Sequence, residues 1–264
     1  MEHSFQAEGY GIRLRPVRLD DAAFIVWLRN LEHVKGRVGD SPTDVAGQEA
    51  WLKKYFEREG DYYFIAETSS GIPLGTYGIY GVRGTNAELG RHFIRLDVLA
   101  GVPAAVLATD LAFGRLGMTE LRTTVVSTNH SVLSLHRKTG FQQLGILRAA
   151  QVIGGKPVDL VQFLLTAEDW RKVRDGLVPL ARLAGTHVLE WERTQPAANE
   201  LLVGQQDAFF PFLAMLAARV AGTGLEGGLD LGDIGSFGTL GDCASRWLAQ
   251  TTTGLLPALN GCVA

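Results

Sequence analysis

The stretch that decides the fold is Ser127-Thr128-Asn129-His130-Ser131-Val132-Leu133-Ser134-Leu135-His136-Arg137-Lys138-Thr139-Gly140-Phe141. Residues 121–127, which lead into it, are rich in β-branched side chains and read as a strand. Residues 131–138 read as a short helix, and Gly140 suits the position just past its end, where the backbone turns left-handed. Phe141 opens another strand, and residues 159–165 form the last one. A strand, a short helix and two returning strands in so few residues point to a layered α/β domain.

Working outward, residues 12–16 alternate apolar and polar side chains and read as a strand. Asp20 can cap a helix that carries Ala23, Phe24, Trp27, Leu28 and Leu31 on one face. The turn Asp40-Ser41-Pro42-Thr43 leads into a second amphipathic helix with Trp51, Leu52, Tyr55 and Phe56. Strands follow at 62–67, 74–82 and 88–94, then a helix over 103–116 that Gly117-Met118 breaks. The order is β-α-α-β-β-β-α-β-α-β-β.

Composition narrows the function classes. The 264 residues are 46% hydrophobic, 20% charged and 9% aromatic, which excludes a largely disordered or fibrous chain. A net charge of −3 and a pI near 6.1 give no global basic field, so no nucleic-acid partner is expected. The longest apolar run, residues 208–218, contains Pro211 and stops at Arg219. It is shorter than the ~20 residues a membrane-spanning helix needs, so no membrane association is expected. The first residues show neither a basic nor an apolar signal region. Cys243 and Cys262 cannot build a disulfide framework, and no Cys/His spacing suits zinc, so no metal is expected. A cytoplasmic protein is the expectation.

The charge is uneven. From Gln195 onward six acids face two bases, so that part carries −4 and the rest +1. Texture also changes to Ala/Leu/Gly-rich sequence, and Gln195-Pro196 is a plausible linker point. The expected organisation is an α/β domain over 1–175, a connecting segment over 176–197 and a small all-α domain over 198–264.

The quoted stretch resembles the pattern N-x-x-[AV]-L-x-L-Y-x-K-x-G-F of the GCN5-related N-acetyltransferases, the GNAT family. Gly75-Thr76-Tyr77-Gly78-Ile79 and Ala87-Glu88-Leu89-Gly90-Arg91-His92-Phe93-Ile94 are similar to that family's central hairpin. The resemblance covers roughly residues 10–167. It implies the GNAT fold, a mixed central sheet flanked by helices, and acetyl-CoA as the acyl donor. The chain departs from the family at its pyrophosphate loop, usually [QR]-x-x-G-x-[GA]. Here the loop runs Arg95-Leu96-Asp97-Val98-Leu99-Ala100-Gly101-Val102-Pro103-Ala104-Ala105. Gly101 is the one glycine near the helix start. Pro103 suits a first helical turn, whereas Asp97 is unwelcome beside a pyrophosphate.

The resemblance implies that the donor lies against Phe93, Ile94 and Arg95, then Gly101, Val102 and Ala104, with Asn129 and Arg137 beyond. Asn129 also suits an N-cap or Asx-turn, which needs no ligand. His136 stands where the family usually has a tyrosine serving as acid toward the departing thiolate. It can give a proton near neutral pH or simply pack. Glu88 can act as base toward the amine, directly or through water, or pair with Arg91 or Arg95. Glu67 is a second candidate base. Tyr77, Tyr80 and His92 are candidate walls of the acceptor pocket, and Trp27, Arg29 and Asn30 end the first helix, where the resemblance implies that the pocket is shaped; the aromatic ones also suit a core.

The expected activity is transfer of an acetyl or similar acyl group from acyl-CoA to a primary amine of a small molecule, such as an amino sugar or biosynthetic intermediate. Two other readings stand beside it. One is a non-catalytic GNAT-like binding or scaffold module, which the altered loop motivates. The other is an acyltransferase whose substrate is tethered to a carrier protein. It comes from residues 198–250, which weakly resemble an acyl carrier protein. There Asp207-Ala208-Phe209 stands where the modified serine would be, and Ala208 has no hydroxyl to carry a phosphopantetheine arm. A homodimer is also among the expected assemblies.

Overall fold

The computed structural model describes residues 3–31, 34 and 42–195. The carrier-like segment and the small all-α domain expected over 198–264 lie outside the described residues.

Eight strands form one sheet in the order β1-β2-β3-β4-β5-β6-β8-β7. They are β1 (Ala7–Gly9), β2 (Ile12–Pro16), β3 (Tyr62–Glu67), β4 (Pro73–Arg83), β5 (Asn86–Ile94), β6 (Glu120–Val126), β7 (Gln142–Ile153) and β8 (Lys156–Thr166). The helices are α1 (Ala22–Asn30), α2 (Val45–Tyr55), α3 (Gly101–Asp110), α4 (His130–Lys138) and α5 (Ala167–Thr194). This is an α/β fold with a mixed sheet flanked by helices, and the expected order of elements is present within it. Strand β1 and the long α5 are additions that the sequence reading did not contain.

Alternation along β3 shows how the sheet holds two cores. Phe64 and Ala66 point into a cluster shared with α3 and α5, while Tyr63 and Ile65 point into one shared with α1 and α2. All four are fully buried, so β3 reads as a continuous apolar run and not as a half-exposed strand. Burying each large side chain contributes roughly 1.5–3 kcal/mol.

Helix α5 runs through most of the segment expected to connect two domains. Thr166 caps it by accepting a hydrogen bond from the Asp169 N–H at 3.1 Å, and Glu168 and Asp169 complement the dipole of its first turn. Trp170, Ala181, Ala184, Gly185, Val188 and Trp191 form its buried face. The small residues have a packing reason: a Cβ on Gly185 would lie 2.2 Å from the Tyr10 carbonyl oxygen. The small residues of α5 thus reflect close helix–backbone contact within the domain. Arg174 pairs with Asp110 at 2.7 Å, and the Trp170 indole donates to the same carboxylate at 2.9 Å, which fastens α5 to the end of α3.

All neighbouring strands are antiparallel except β5 and β6, which are parallel. Those two pair only at Asn86↔Glu120, Ala87↔Leu121 and Glu88↔Arg122. Beyond Glu88 the second half of β5 keeps its ladder with β4 but has none with β6. The sheet thus opens between β5 and β6. At the far edge, β7 leaves Leu144, Ile146, Leu147 and Val152 exposed.

Candidate active site

The open half of β5 is also irregular. Thr76 pairs with Phe93 and Gly78 with Gly90, so Arg91 and His92 together oppose Tyr77 alone. This is a one-residue bulge. Arg91 takes φ +50° there, a left-handed conformation that costs a non-glycine residue roughly 1–2 kcal/mol. Its side chain compensates. The guanidinium makes two hydrogen bonds to the Asp61 carboxylate, one of 2.9 Å, and lies 4.4 Å from the Tyr80 ring centre and 5.1 Å from that of Tyr63. The Thr76 hydroxyl donates to the Arg91 carbonyl at 2.7 Å.

Glu88 sits at the last position where β5 and β6 pair, opposite Tyr80 on β4. It is exposed. Both arginines expected to pair with it are held elsewhere, Arg91 by Asp61 and Arg95 by Asp97. Among the described residues Glu88 has no ion pair, which overturns the ion-pair alternative. Burial, then the negative charge of Glu88, raises the Tyr80 phenol above its ordinary pKa.

Glu67, the second candidate base, is buried and committed. It accepts from Arg13 and, at 2.7 Å, from Arg15 Nε. Arg15 also binds Asp21 at 2.8 Å. This network ties β2, β3 and the start of α1 together and leaves Glu67 no lone role in proton transfer.

On the other face of the hairpin lie Tyr77, His92 and His136. Tyr77 is fully buried in the main core, its ring centre is 4.5 Å from that of His92, and burial raises its phenol pKa. Tyr77 and Tyr80 therefore face opposite sides of β4 and do not share a pocket wall. His136, on α4, packs 4.6 Å from Phe141 and 5.4 Å from Phe163. Burial pushes its pKa down to about 4. Burial, with the nearby His136, pushes His92 to about 3. The expectation that His136 gives a proton near neutral pH is corrected by this burial. At pH 7 the ring is neutral, so it can offer a hydrogen bond but no readily released proton.

The loop from β5 to α3 resolves the problem of Asp97. Arg95 binds it through two hydrogen bonds of 2.6 Å, and the guanidinium lies 5.4 Å from the Trp27 ring and 4.8 Å from that of Trp191. Asp97 is neutralised in place, and Arg95 is a structural residue rather than a free phosphate ligand. Helix α3 starts at Gly101 with no side-chain cap on Ala100, and Ala104 N–H is bonded to the Ala100 carbonyl at 2.9 Å. The N–H groups of Gly101 and Val102 precede the first bonded turn, the usual property of a helix start that binds anions. Pro103 has no N–H to leave unsatisfied. Phe93 and Ile94 are half-buried beside the opening.

Asn129 takes the N-cap position of α4 with no side-chain cap bond, and its carbonyl accepts from Leu133 N–H at 3.0 Å. Arg137 is exposed and donates to Gln143 at 3.0 Å. Trp27 is half-buried and stacks on Phe24 at 5.7 Å. Arg29 lies over the Phe93 ring at 5.7 Å. The structure thus gathers Glu88, Tyr80, Phe93, Trp27 and Arg29 on the side of α1 and α2, and Tyr77 and His136 on the other. The Asp61–Arg91 pair was missed in the sequence because a positive φ on a non-glycine residue leaves no mark there. The described residues contain no group of metal-binding side chains and no helix long and apolar enough to cross a membrane.

Residues 12–142 match the family model described as an acetyltransferase (GNAT) domain. No curated protein matches the sequence. Solved structures share the fold. FdhC, a nucleotide-linked-sugar GNAT, is 24% identical with a TM-score of 0.56, over 68% of this chain and 98% of that one. A GCN5-related N-acetyltransferase from Brucella melitensis is 18% identical with a TM-score of 0.59, over 68% and 86%. A mutant of the spermidine N-acetyltransferase SpeG from Vibrio cholerae is 17% identical with a TM-score of 0.55, over 62% and 98%.

Proposed function

We propose that the domain over residues 12–142, which match the acetyltransferase (GNAT) family model, is an N-acetyltransferase that moves an acetyl group from acetyl-CoA to the primary amine of a small molecule such as an amino sugar or biosynthetic intermediate. The observation that carries this reading is the opening beyond Glu88, where half of β5 has no partner on β6. An extended thioester arm fits against such a backbone edge, and the open N–H groups at the start of α3 suit its diphosphate. With Asp97 held by Arg95, the altered loop no longer argues for a protein that has lost its donor.

Glu88 is the base. It takes a proton from the amine, directly or through one water, as the nitrogen attacks the thioester carbonyl carbon. Backbone N–H groups of β5 beyond its pairing with β6 are the available donors for the oxyanion. The carbon–sulfur bond then breaks and the sulfur leaves as thiolate. A thiol pKa near ~8.5 means that little acid help is needed, so neutral His136 serves as a hydrogen-bond donor and solvent supplies the proton. Holding the two substrates together supplies much of the remaining acceleration. A homodimer belongs to the same reading, supported by the exposed Leu144, Ile146 and Val152 on the edge strand, and sedimentation velocity reads it directly.

Calorimetric titration with acetyl-CoA and CoA tests the reading before an acceptor is known. Saturable binding of both is expected. If no acyl-CoA gives heat or a thermal shift, the chain is a binding module on a GNAT fold.

A further inference from the structure

We propose that Arg29 binds the acceptor, and that the acceptor carries an anionic group, a carboxylate or a phosphate, well separated from its reacting amine. The inference rests on the acyltransferase reading and names the acceptor's class.

Arg29 stands in the last turn of α1, half-buried, with its guanidinium over the Phe93 ring. Its Nε is buried without any hydrogen-bond partner. Among the described residues no carboxylate reaches it, and its side chain makes no hydrogen bond to any of them. A guanidinium has five N–H donors and no acceptor, and a buried donor without a partner is costly. Its neighbours differ. Arg91 and Arg95, which flank the same strand, each hold a carboxylate with two hydrogen bonds. Among the described residues the unpartnered Nε is thus a local property of Arg29.

Its position assigns the anion to the acceptor and not to the donor. Phe93 packs against the α1–α2 core, the face that also carries Tyr80 and Glu88. The donor's diphosphate belongs at α3, beyond the Arg95–Asp97 pair. Glu88 and Phe93 lie five positions apart on one bulged strand, which at ~3.3 Å per residue separates amine and anion by on the order of 10 Å. A substituted sugar or a short chain spans that distance. An α-amino acid, whose amine and carboxylate share one carbon, does not. A polyamine would bring a cation to Arg29 and be repelled.

The test uses isolated anions first. The protein, saturated with CoA to occupy the α3 site, is titrated with methyl phosphate and with acetate by calorimetry. Binding of at least one is expected, with affinity lost tenfold or more in Arg29→Gln and largely kept in Arg29→Lys; which anion binds tells phosphate from carboxylate. Absence of binding to the wild type, or equal binding to Arg29→Gln, overturns the proposal. Acetylation of 6-aminohexyl phosphate, 6-aminohexanoate and hexylamine then gives the second readout. An anionic chain should exceed hexylamine in kcat/KM by tenfold or more, and that ratio should fall toward one in Arg29→Gln. No preference in the wild type overturns it. If CoA itself fails to bind, the acyltransferase reading fails, while the anion titrations of wild type and Arg29→Gln still decide on Arg29.

Discussion

The proposed donor mouth and the proposed acceptor wall each carry an arginine beside β5, and the two have opposite fates. Arg95 is buried, bound to Asp97 and set against two tryptophans. Arg29 lies over one phenylalanine, its buried Nε without a partner among the described residues. The difference comes from sequence neighbours. Arg95 has a carboxylate two residues on, at a turn that brings the two together. Arg29 is followed by Asn30 and Leu31, neither of which carries a carboxylate. Charge type alone therefore said nothing about availability. On the proposed donor side Arg95 is neutralised in a structural wall, while on the proposed acceptor side Glu88 and Arg29 have no ion pair among the described residues.

The sharpest way to break this division is Glu88→Gln. If the acceptor side holds the reactive groups, kcat should fall by roughly 10²–10⁴ while the KM for acetyl-CoA stays nearly constant. Steady-state kinetics with any accepted amine reads both. An unchanged kcat would remove Glu88 from the mechanism and leave proton transfer to water.

Asp97→Asn probes the other side. It strands the buried Arg95, and breaking such a pair costs about 3 kcal/mol. Denaturant unfolding should show this as a lower midpoint at constant m. An unaltered midpoint would mean that Arg95 finds water or phosphate instead, and that the donor side is as open as the acceptor side.

The element order was legible in the sequence because periodicity and turn residues recorded it. Residues 121–141 alone gave strand, helix and C′ glycine, and the structure has β6, α4 and a left-handed Gly140 there. What sequence texture concealed was α5. The expected connecting segment over 176–197 falls largely within this helix, whose Gly185 is small because Tyr10 lies against it. The site was legible only as a set of residue types. Glu88 was nameable, but its freedom depends on Asp61 and Asp97 holding the two arginines. Asp61 is far from either in sequence, and no pattern links it to a bulge at Arg91.

Stability against pH separates the faces in another way. His92 and His136 both have folded pKa values below the ordinary 6.5, about 3 and about 4. The unfolded chain therefore binds more protons between about pH 6.5 and 4, and the stabilisation present above 6.5 is lost as pH falls through that window, at up to ~1.4 kcal/mol per unit for each group. Thermal unfolding should shift to lower temperature between pH 7 and 5, less steeply in His136→Phe. Equal slopes in both proteins would mean that His136 is protonated and solvated in the folded state. It would then be available as an acid after all.

Gly101→Ala should produce the smallest change and bears most directly on the donor mouth. A Cβ at this first residue of α3 meets nothing within 4 Å, and its φ is not in the left-handed region, so stability should move by no more than ~0.5 kcal/mol. The same methyl would stand beside the N–H groups that suit the diphosphate. A phosphate seated there must shift outward, and the KM for acetyl-CoA should rise by roughly three- to tenfold, about 0.6–1.4 kcal/mol of binding. The kcat at saturating donor should hold, because the thioester end is fixed along β5. Calorimetry with CoA checks the affinity without needing an acceptor. If affinity and melting temperature both stay level, the diphosphate does not use the start of α3. The donor mouth would then be the structural wall that its sealed arginine suggests.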